Sequence, residues 1–366
     1  MEKKMVFGNW EVATILINAI CTKIFINFPR TAAEYGGSAS WIFTIYISLL
    51  AFVGFWIILR LYKDMEGKDI IDVGEYVGKD IGRIIVGCII MVFLIYVTSV
   101  YMRTFSESIK LIALTNSPIS FVEMFFLVCM IGGAYFGLES IGRLHGILVP
   151  LIATGFMLII IMVSNNIEIL QVFPLLGNGI EKIFVSGALK VSVFSEILLL
   201  FLLVPFIKNN KNLKKSGYVA LGFSSAFLLI SSFVYITVFP MPVALERVIP
   251  IFQMARLITI GRFFQRIESV FMIAWVAASL LFVTLNFYFI VYAFKKTFKL
   301  EYYKPLIFPF AILLMNISLF PPNLLSAVKL ETEYFRNWAW IITFVMPIIL
   351  LWLARIKIGK GNKNTA

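Results

Sequence analysis

The sequence predicts an all-α integral membrane protein of about ten transmembrane helices, arranged as two sets of five. Three observations carry that reading. Sixty per cent of the 366 residues are apolar and 14% are charged, too little polar surface to cover a soluble protein of this size. Apolar runs recur at the length a helix needs to cross ~30 Å of hydrocarbon. Basic residues fall in short clusters between those runs, where they fix topology. The mean hydropathy of +0.93 agrees.

The first five helices are expected at about 10–35, 41–61, 83–112, 119–138 and 144–164. The second five are expected at about 187–207, 216–239, 267–294, 304–321 and 335–355. No stretch reads as a soluble domain, so 1–366 is expected to be a single transmembrane domain, with repeat one at about 10–164 and repeat two at about 187–355. Because five is odd, the second set enters the membrane in the opposite sense, the inverted-repeat plan of many secondary transporters. Lys63, Lys208, Lys211, Lys295, Lys357 and most other basic residues then share one side, which places both termini in the cytoplasm. Met1–Lys4 and the apolar run after it resemble a signal peptide. No small-residue cleavage site follows, and Lys23 and Pro29 interrupt the run, so it is expected to remain as helix one.

Several functions lack material. The net charge of +12 is scattered between spans rather than gathered in a patch, which argues against nucleic acid. Cys21, Cys88 and Cys129 all lie in apolar runs and read as free thiols. The single histidine, His145, is assigned to a cytoplasmic loop, and no Cys/His cluster exists, so no metal, cofactor or catalytic triad is expected. Asp64, Asp69, Asp72 and Asp80 crowd one loop, but Lys63, Lys68 and Lys79 interleave; a solvated cytoplasmic helix fits better than a cation site. From Pro240 to Arg266, arginines mix with apolar residues between prolines. That segment reads as amphipathic and lying on the outer face, either a structural cap or a gate.

In the inverted-repeat plan the first helix of each set is discontinuous, and substrate binds where the breaks meet. Helix one strands Lys23 within an apolar span, and helix six strands Glu196. A charge at such depth costs at least about 2.5–3.5 kcal/mol and marks a functional candidate. The two carry opposite charge, and the sharper reading pairs them at the pocket. The alternative lets Lys23 snorkel to an interface while Glu196 bonds exposed backbone. Cys21, Thr22, Phe194 and Ser195 flank these charges as candidate ligand-binding residues. Tyr96 and Val100 share a face of helix three at i, i+4, and Thr284 with Tyr288 does so on helix eight; both pairs are candidates to line the same cavity. Arg103 and Glu107 are expected to form a structural ion pair near the outer end of helix three, with a proton relay as the alternative, and Arg266 and Glu268 form a second candidate pair, gating or structural.

The chain also resembles the B-subunit family of spore germination receptors, the endospore germination permeases, over essentially its whole length. The local matches are Phe173-Pro174-Leu175-Leu176-Gly177-Asn178-Gly179, Glu196 with Pro205, and Glu246-Arg247 through Pro250 to Arg256. They continue with Gly261-Arg262, Phe264-Gln265-Arg266-Ile267-Glu268 and Trp275, and include Arg103 to Glu107 followed by Thr115-Asn116-Ser117-Pro118. The resemblance implies the LeuT-type fold of the amino acid–polyamine–organocation superfamily. It also implies a subunit of the spore inner membrane that binds a small nutrient, often an amino acid, among helices one, three, six and eight. That subunit would work with an A subunit and a C lipoprotein subunit. One departure is Cys21-Thr22-Lys23, where superfamily members usually place small, glycine-containing sequence. The cation there would restrict the pocket, supply an anion partner, or replace a bound coupling cation.

Four functions follow for comparison. The leading one is a ligand sensor whose two repeats shift on nutrient binding. A proton-coupled amino-acid transporter would use the same pocket. A channel would need a continuous polar pore, and a membrane enzyme would need a nucleophile and base that are absent from the pattern.

Overall fold

The computed structural model describes residues 6–258 and 268–363. Helix one runs α-helically over Asn9–Cys21 and tightens to a 3-10 turn over Thr22–Phe25. It breaks where Ile26 (φ −94°, ψ −80°) and Asn27 (φ −148°, ψ 1°) leave helical space. It restarts as Phe28–Gly36 with Pro29 in its first turn, where a proline sacrifices no hydrogen bond. Helix six, Glu181–Phe206, is loosened rather than unwound. A 3-10 stretch spans Ser186–Ile197 with a kink at Phe194 (φ −94°, ψ 17°), and the regular helix resumes at Leu198–Leu203. Gly187, Val191, Ser192, Val193 and Ser195 are all weak helix formers, which favours this relaxed geometry.

The other spans are Ser40–Tyr62 (two), Ile70–Ile112 (three), Ile119–Phe136 (four), Leu138–Met162 (five), Asn210–Val238 (seven), Glu268–Thr297 (eight) and Lys304–Ser318 (nine). Helix ten is Leu324–Gly359. Among the described residues eight helical stretches are long and apolar enough to cross a membrane, and the Asn9 half of helix one and the shorter helix nine complete the ten. Helix eight packs along helices three, four and five, while helix one packs against five and seven. Helix six lies innermost, with every residue of Leu198–Leu203 buried.

Two helices start well before their expected positions, because each is capped by a polar residue within a charged stretch that resembles a loop. Helix three begins at Ile70 rather than 83, after Asp69 closes a capping box with Asp72, and it kinks at Lys79 (φ 54°, ψ −142°). Helix ten begins at Leu324 rather than 335, after Asn323 accepts from the Ser326 N–H at 2.9 Å. It then widens twice into π-turns, at Leu330–Phe335 and Ile341–Val345.

Three other expectations change. His145 lies inside helix five, fully buried, with Nδ1 2.7 Å from the Ile141 carbonyl, because that helix starts at Leu138 directly after Gly137. The aspartate stretch is not simply solvated. Asp69 is buried and accepts from Tyr292 Oη at 2.9 Å and Lys296 Nζ at 2.5 Å, and Lys296 also reaches Asp72 at 2.6 Å. Arg83 donates to the Thr297 carbonyl at 3.0 Å and to Glu75 at 2.8 Å, and it also pairs with Asp80. These contacts lock helix three to the end of helix eight and close the basic end of the bundle. The segment from Pro240 is more embedded than an interfacial cap: Pro250–Arg256 buries Ile251, Phe252, Met254 and Ala255 against helices one, seven and eight. The part of it at 259–267 lies outside the described residues.

Candidate ligand-binding site

Lys23 and Glu196, 173 positions apart, meet in the middle of the bundle. The Lys23 ammonium donates to Glu196 Oε2 and to the Val193 carbonyl, an acceptor made available by the relaxed geometry of helix six. Both side chains are almost fully buried, at 2% and 3% exposure. Ser195 Oγ donates to the same carboxylate oxygen at 3.1 Å. Glu196 Oε1 has no hydrogen-bond partner among the described residues.

A second buried pair adjoins the first. Arg336 of helix ten, 2% exposed, spreads its guanidinium over Glu331 Oε1 (2.6 Å), the Ser192 carbonyl (2.5 Å) and Ser195 Oγ (3.1 Å), and it also meets the Tyr101 hydroxyl. Glu331 accepts in addition from Tyr101 at 3.1 Å and from Asn27, at the break of helix one, at 3.2 Å. Two cations and two carboxylates therefore balance, which is what allows four charges to persist away from water. The planar fork of arginine suits the position because it serves a carbonyl, a hydroxyl and a carboxylate together. Helices one, three, six and ten converge on this network.

Above it, towards the end opposite the basic clusters, lies a polar vestibule of about 470 Å³. Asn27 forms part of its wall, and Arg30, Glu34, Lys190 and Glu333 supply charges of both signs. Lys190 is held by the Thr332 carbonyl and Asn337 Oδ1, each at 2.8 Å. Leu245, from the short helix Met241–Glu246, stands in the same wall. The outer half of helix one, which borders the vestibule, is clamped by the loop after helix five. Asn178 donates to the Glu34 carbonyl at 2.8 Å and Ser38 to the Pro174 carbonyl at 2.5 Å. Gly177 (φ 43°) must be glycine there, since a Cβ would sit 1.9 Å from the Gly36 carbonyl.

The remaining expected site residues disperse. Cys21 faces a small recess lined by Phe156 and Phe227, and Thr22 bonds its own helix at the Asn18 carbonyl, 2.6 Å away. Phe194 is buried at the kink itself. Tyr96 donates to the Leu330 carbonyl at 3.0 Å and lines an apolar cleft between helices three and ten, about 580 Å³, at the outer surface of the bundle. Val100 is buried, but it is its neighbour Tyr101 that reaches the network. Thr284 packs on Gly133 of helix four, and Tyr288 stacks with Tyr292 and meets Tyr303 edge-on near the basic end. These two therefore serve helix packing in this structure, because the shared face of helix eight points to other neighbours. Arg103 and Glu107 are paired at 2.9 Å, and Glu123 joins them at 3.4 Å from Arg103, itself bonded to Ser318 at 2.8 Å. Arg266 lies outside the described residues, and Glu268 opens helix eight. Among the described residues no group of three or more His, Cys, Asp and Glu could hold a metal ion.

Glu331, Arg336, Asn27, Tyr101 and Glu123 escaped the sequence reading. The signal for the first two was the Asn323 cap after Pro321-Pro322, which moves the start of helix ten so that it takes in Glu331 and sets Arg336 more than two turns from its end.

The comparisons with known proteins agree with this architecture. The model of the spore germination protein family, a family of spore permeases, matches residues 9–324. Among curated relatives, spore germination protein YndE of Bacillus subtilis (strain 168) is 24% identical over 358 residues, covering 96% of this chain and 97% of that protein. Spore germination protein KB of the same organism is 24% identical over 328 residues, covering 87% and 86%. Among solved structures, MhsT in complex with L-phenylalanine aligns with a TM-score of 0.73 at 14% identity, covering 98% of this chain and 90% of that one. Mhp1, a nucleobase-cation-symport-1 family transporter in a closed conformation with bromovinylhydantoin bound, aligns with a TM-score of 0.70 at 9% identity, covering 98% and 94%. The fold is thus the LeuT-type inverted repeat, in a multi-pass membrane protein whose relatives are germination proteins and whose structural neighbours are transporters rather than enzymes. With the family model matched over most of its length, the chain belongs to the spore germination protein family, as a permease-like membrane subunit.

Proposed function

We propose that this subunit recognises a small zwitterionic nutrient, an amino acid, at the Lys23–Glu196 pair, and that recognition is the first step of germination. The observation that carries the proposal is an ion pair joining the two helix discontinuities at the centre of the bundle. A zwitterion is the ligand such a pair can admit without changing the buried charge. Its carboxylate takes the Lys23 ammonium, its ammonium takes Glu196, and Glu196 Oε1 has no other donor among the described residues. The vestibule beside Asn27 is the access route. The likeness to MhsT, solved with L-phenylalanine, supports an amino acid as the ligand class.

In this reading the membrane is the spore inner membrane, with both termini cytoplasmic at the basic end. The A subunit and C lipoprotein subunit of the receptor read the altered packing of the two repeats. Ligand must bind one arrangement better than the other for a signal to pass. Binding and uptake of labelled amino acids by the purified protein in proteoliposomes, with and without a pH gradient, test the proposal. Saturable binding without accumulation, lost in Glu196→Gln, is the expected result. Gradient-driven accumulation would replace it with a proton-coupled amino-acid transporter, a reading favoured by the buried titratable pair. Absence of saturable binding of any amino acid would overturn both.

A further inference from the structure

A groove at the basic end, remote from the ligand pair, has a composition that helix packing does not explain. It lies between the end of helix two and the start of helix seven and encloses about 420 Å³. Arg60 and Lys63 supply one wall, Lys211 and Lys214 the other, and Trp56 and Tyr218 are part of its apolar surface. Among the described residues none of these four cations is paired with a carboxylate. The nearby acids are engaged elsewhere: Asp64 with Arg355 at 3.7 Å, and Glu66 with the Asn210 N–H at 3.0 Å. Like charges converging on one groove repel unless an anion sits between them.

The groove also continues into lipid. Leu49, Val53, Trp56, Arg60 and Lys63 follow one another at spacings of three and four, so they form a single stripe on helix two. Leu49, Val53 and Trp56 are 59%, 55% and 51% exposed, and the Arg60 guanidinium lies 5.5 Å from the Trp56 ring centre. Apolar contact along the span and cations at its end are the two halves of a phospholipid's chemistry.

We propose that this groove is a specific site for an anionic phospholipid. Its phosphate lies among Arg60, Lys63, Lys211 and Lys214, and an acyl chain runs along Trp56, Val53 and Leu49. Helices two and seven are the second helices of the two five-helix sets, so the bound lipid bridges the halves of the fold.

Native mass spectrometry of the full-length, detergent-purified protein tests this. The protein is titrated with short-chain phosphatidylglycerol, with phosphatidylcholine of the same chain length, and with inorganic phosphate. Phosphatidylglycerol is expected to bind at least about tenfold more tightly than phosphatidylcholine. The Lys211→Gln/Lys214→Gln protein is expected to bind it roughly 25-fold more weakly, about fivefold per charge. The Lys211→Arg/Lys214→Arg protein should bind as wild type does, and so should Lys182→Gln at the opposite end. Equal binding of the two lipids, undiminished binding by the glutamine variant, or equal loss in the arginine variant would each overturn the proposal. Displacement of the lipid by inorganic phosphate at like affinity would do so too, by giving the groove to a soluble anion.

Discussion

The protein holds two clusters of charge that look alike in a residue list and behave differently. In the middle of the bundle, Lys23, Glu196, Glu331 and Arg336 are all about 5% exposed or less, and the two cations bind to carbonyls of the irregular part of helix six. At the basic end, Asp69 is buried, but Lys299, Asp80 and Glu75 remain open to water and pair across a short gap between helices three and eight. Lys299 lies beyond the end of helix eight, and its hydrogen bond to Glu75 holds its pKa above the ordinary lysine value. The midplane charges have no such alternative partner in solvent, so losing one strands another. The comparison teaches that depth, rather than the number of ion pairs, separates a site from a latch.

The sharpest way to break the comparison is Glu196→Gln, which leaves the Lys23 ammonium buried without a counter-charge. A loss of about 3–5 kcal/mol is expected, read by thermal unfolding in detergent. Lys23→Met/Glu196→Met should recover most of that stability while ligand binding stays absent. Recovery of binding in the double variant would show that the pair is structural only.

Arg336→Lys comes next. It keeps the charge but cannot serve Glu331, Ser192, Ser195 and Tyr101 at once, so it is expected to cost about 1–3 kcal/mol. Unchanged unfolding would mean that the fork geometry is not needed. Asp69→Asn retains a cap for helix three but loses the charge facing Lys296, and about 1–2 kcal/mol is expected. Hydrogen exchange should rise around residues 63–78 while the midplane stays protected. Equal loosening of both regions would show them to be one cooperative unit. Smallest of all is Glu75→Gln, worth about 0–1 kcal/mol at low salt and nothing measurable at ~1 M salt. A large, salt-independent effect would move the latch into the class of the midplane network.

The sequence was legible wherever a residue contradicted its surroundings. Lys23 and Glu196 stand in apolar runs, and such misfits report depth directly. The ten spans follow from the same contrast, and their inversion from an odd count. Glu331 was hidden because it stands before the expected start of helix ten beside Glu333, where both read as a watered loop; Arg336 fell at the very edge of that expected helix, and only the Asn323 cap shows how far inside it both residues lie. The i, i+4 rule puts Tyr96 with Val100 and Thr284 with Tyr288 on shared helix faces. It says nothing about which neighbour a face meets, and the hydroxyl that reaches the network belongs to Tyr101, one residue along.

The clamp of the loop at Phe173–Gly179 upon Glu34, Gly36 and Ser38 has a practical consequence. With Gly177 seated against the Gly36 carbonyl, the loop and this half of helix one are held together as one unit. The loop is the exposed edge of that unit, with Leu175 and Leu176 half open. A fluorophore or an antibody fragment attached there would sit a short chain of contacts from the vestibule wall, and so would report on helix one without touching the buried charges.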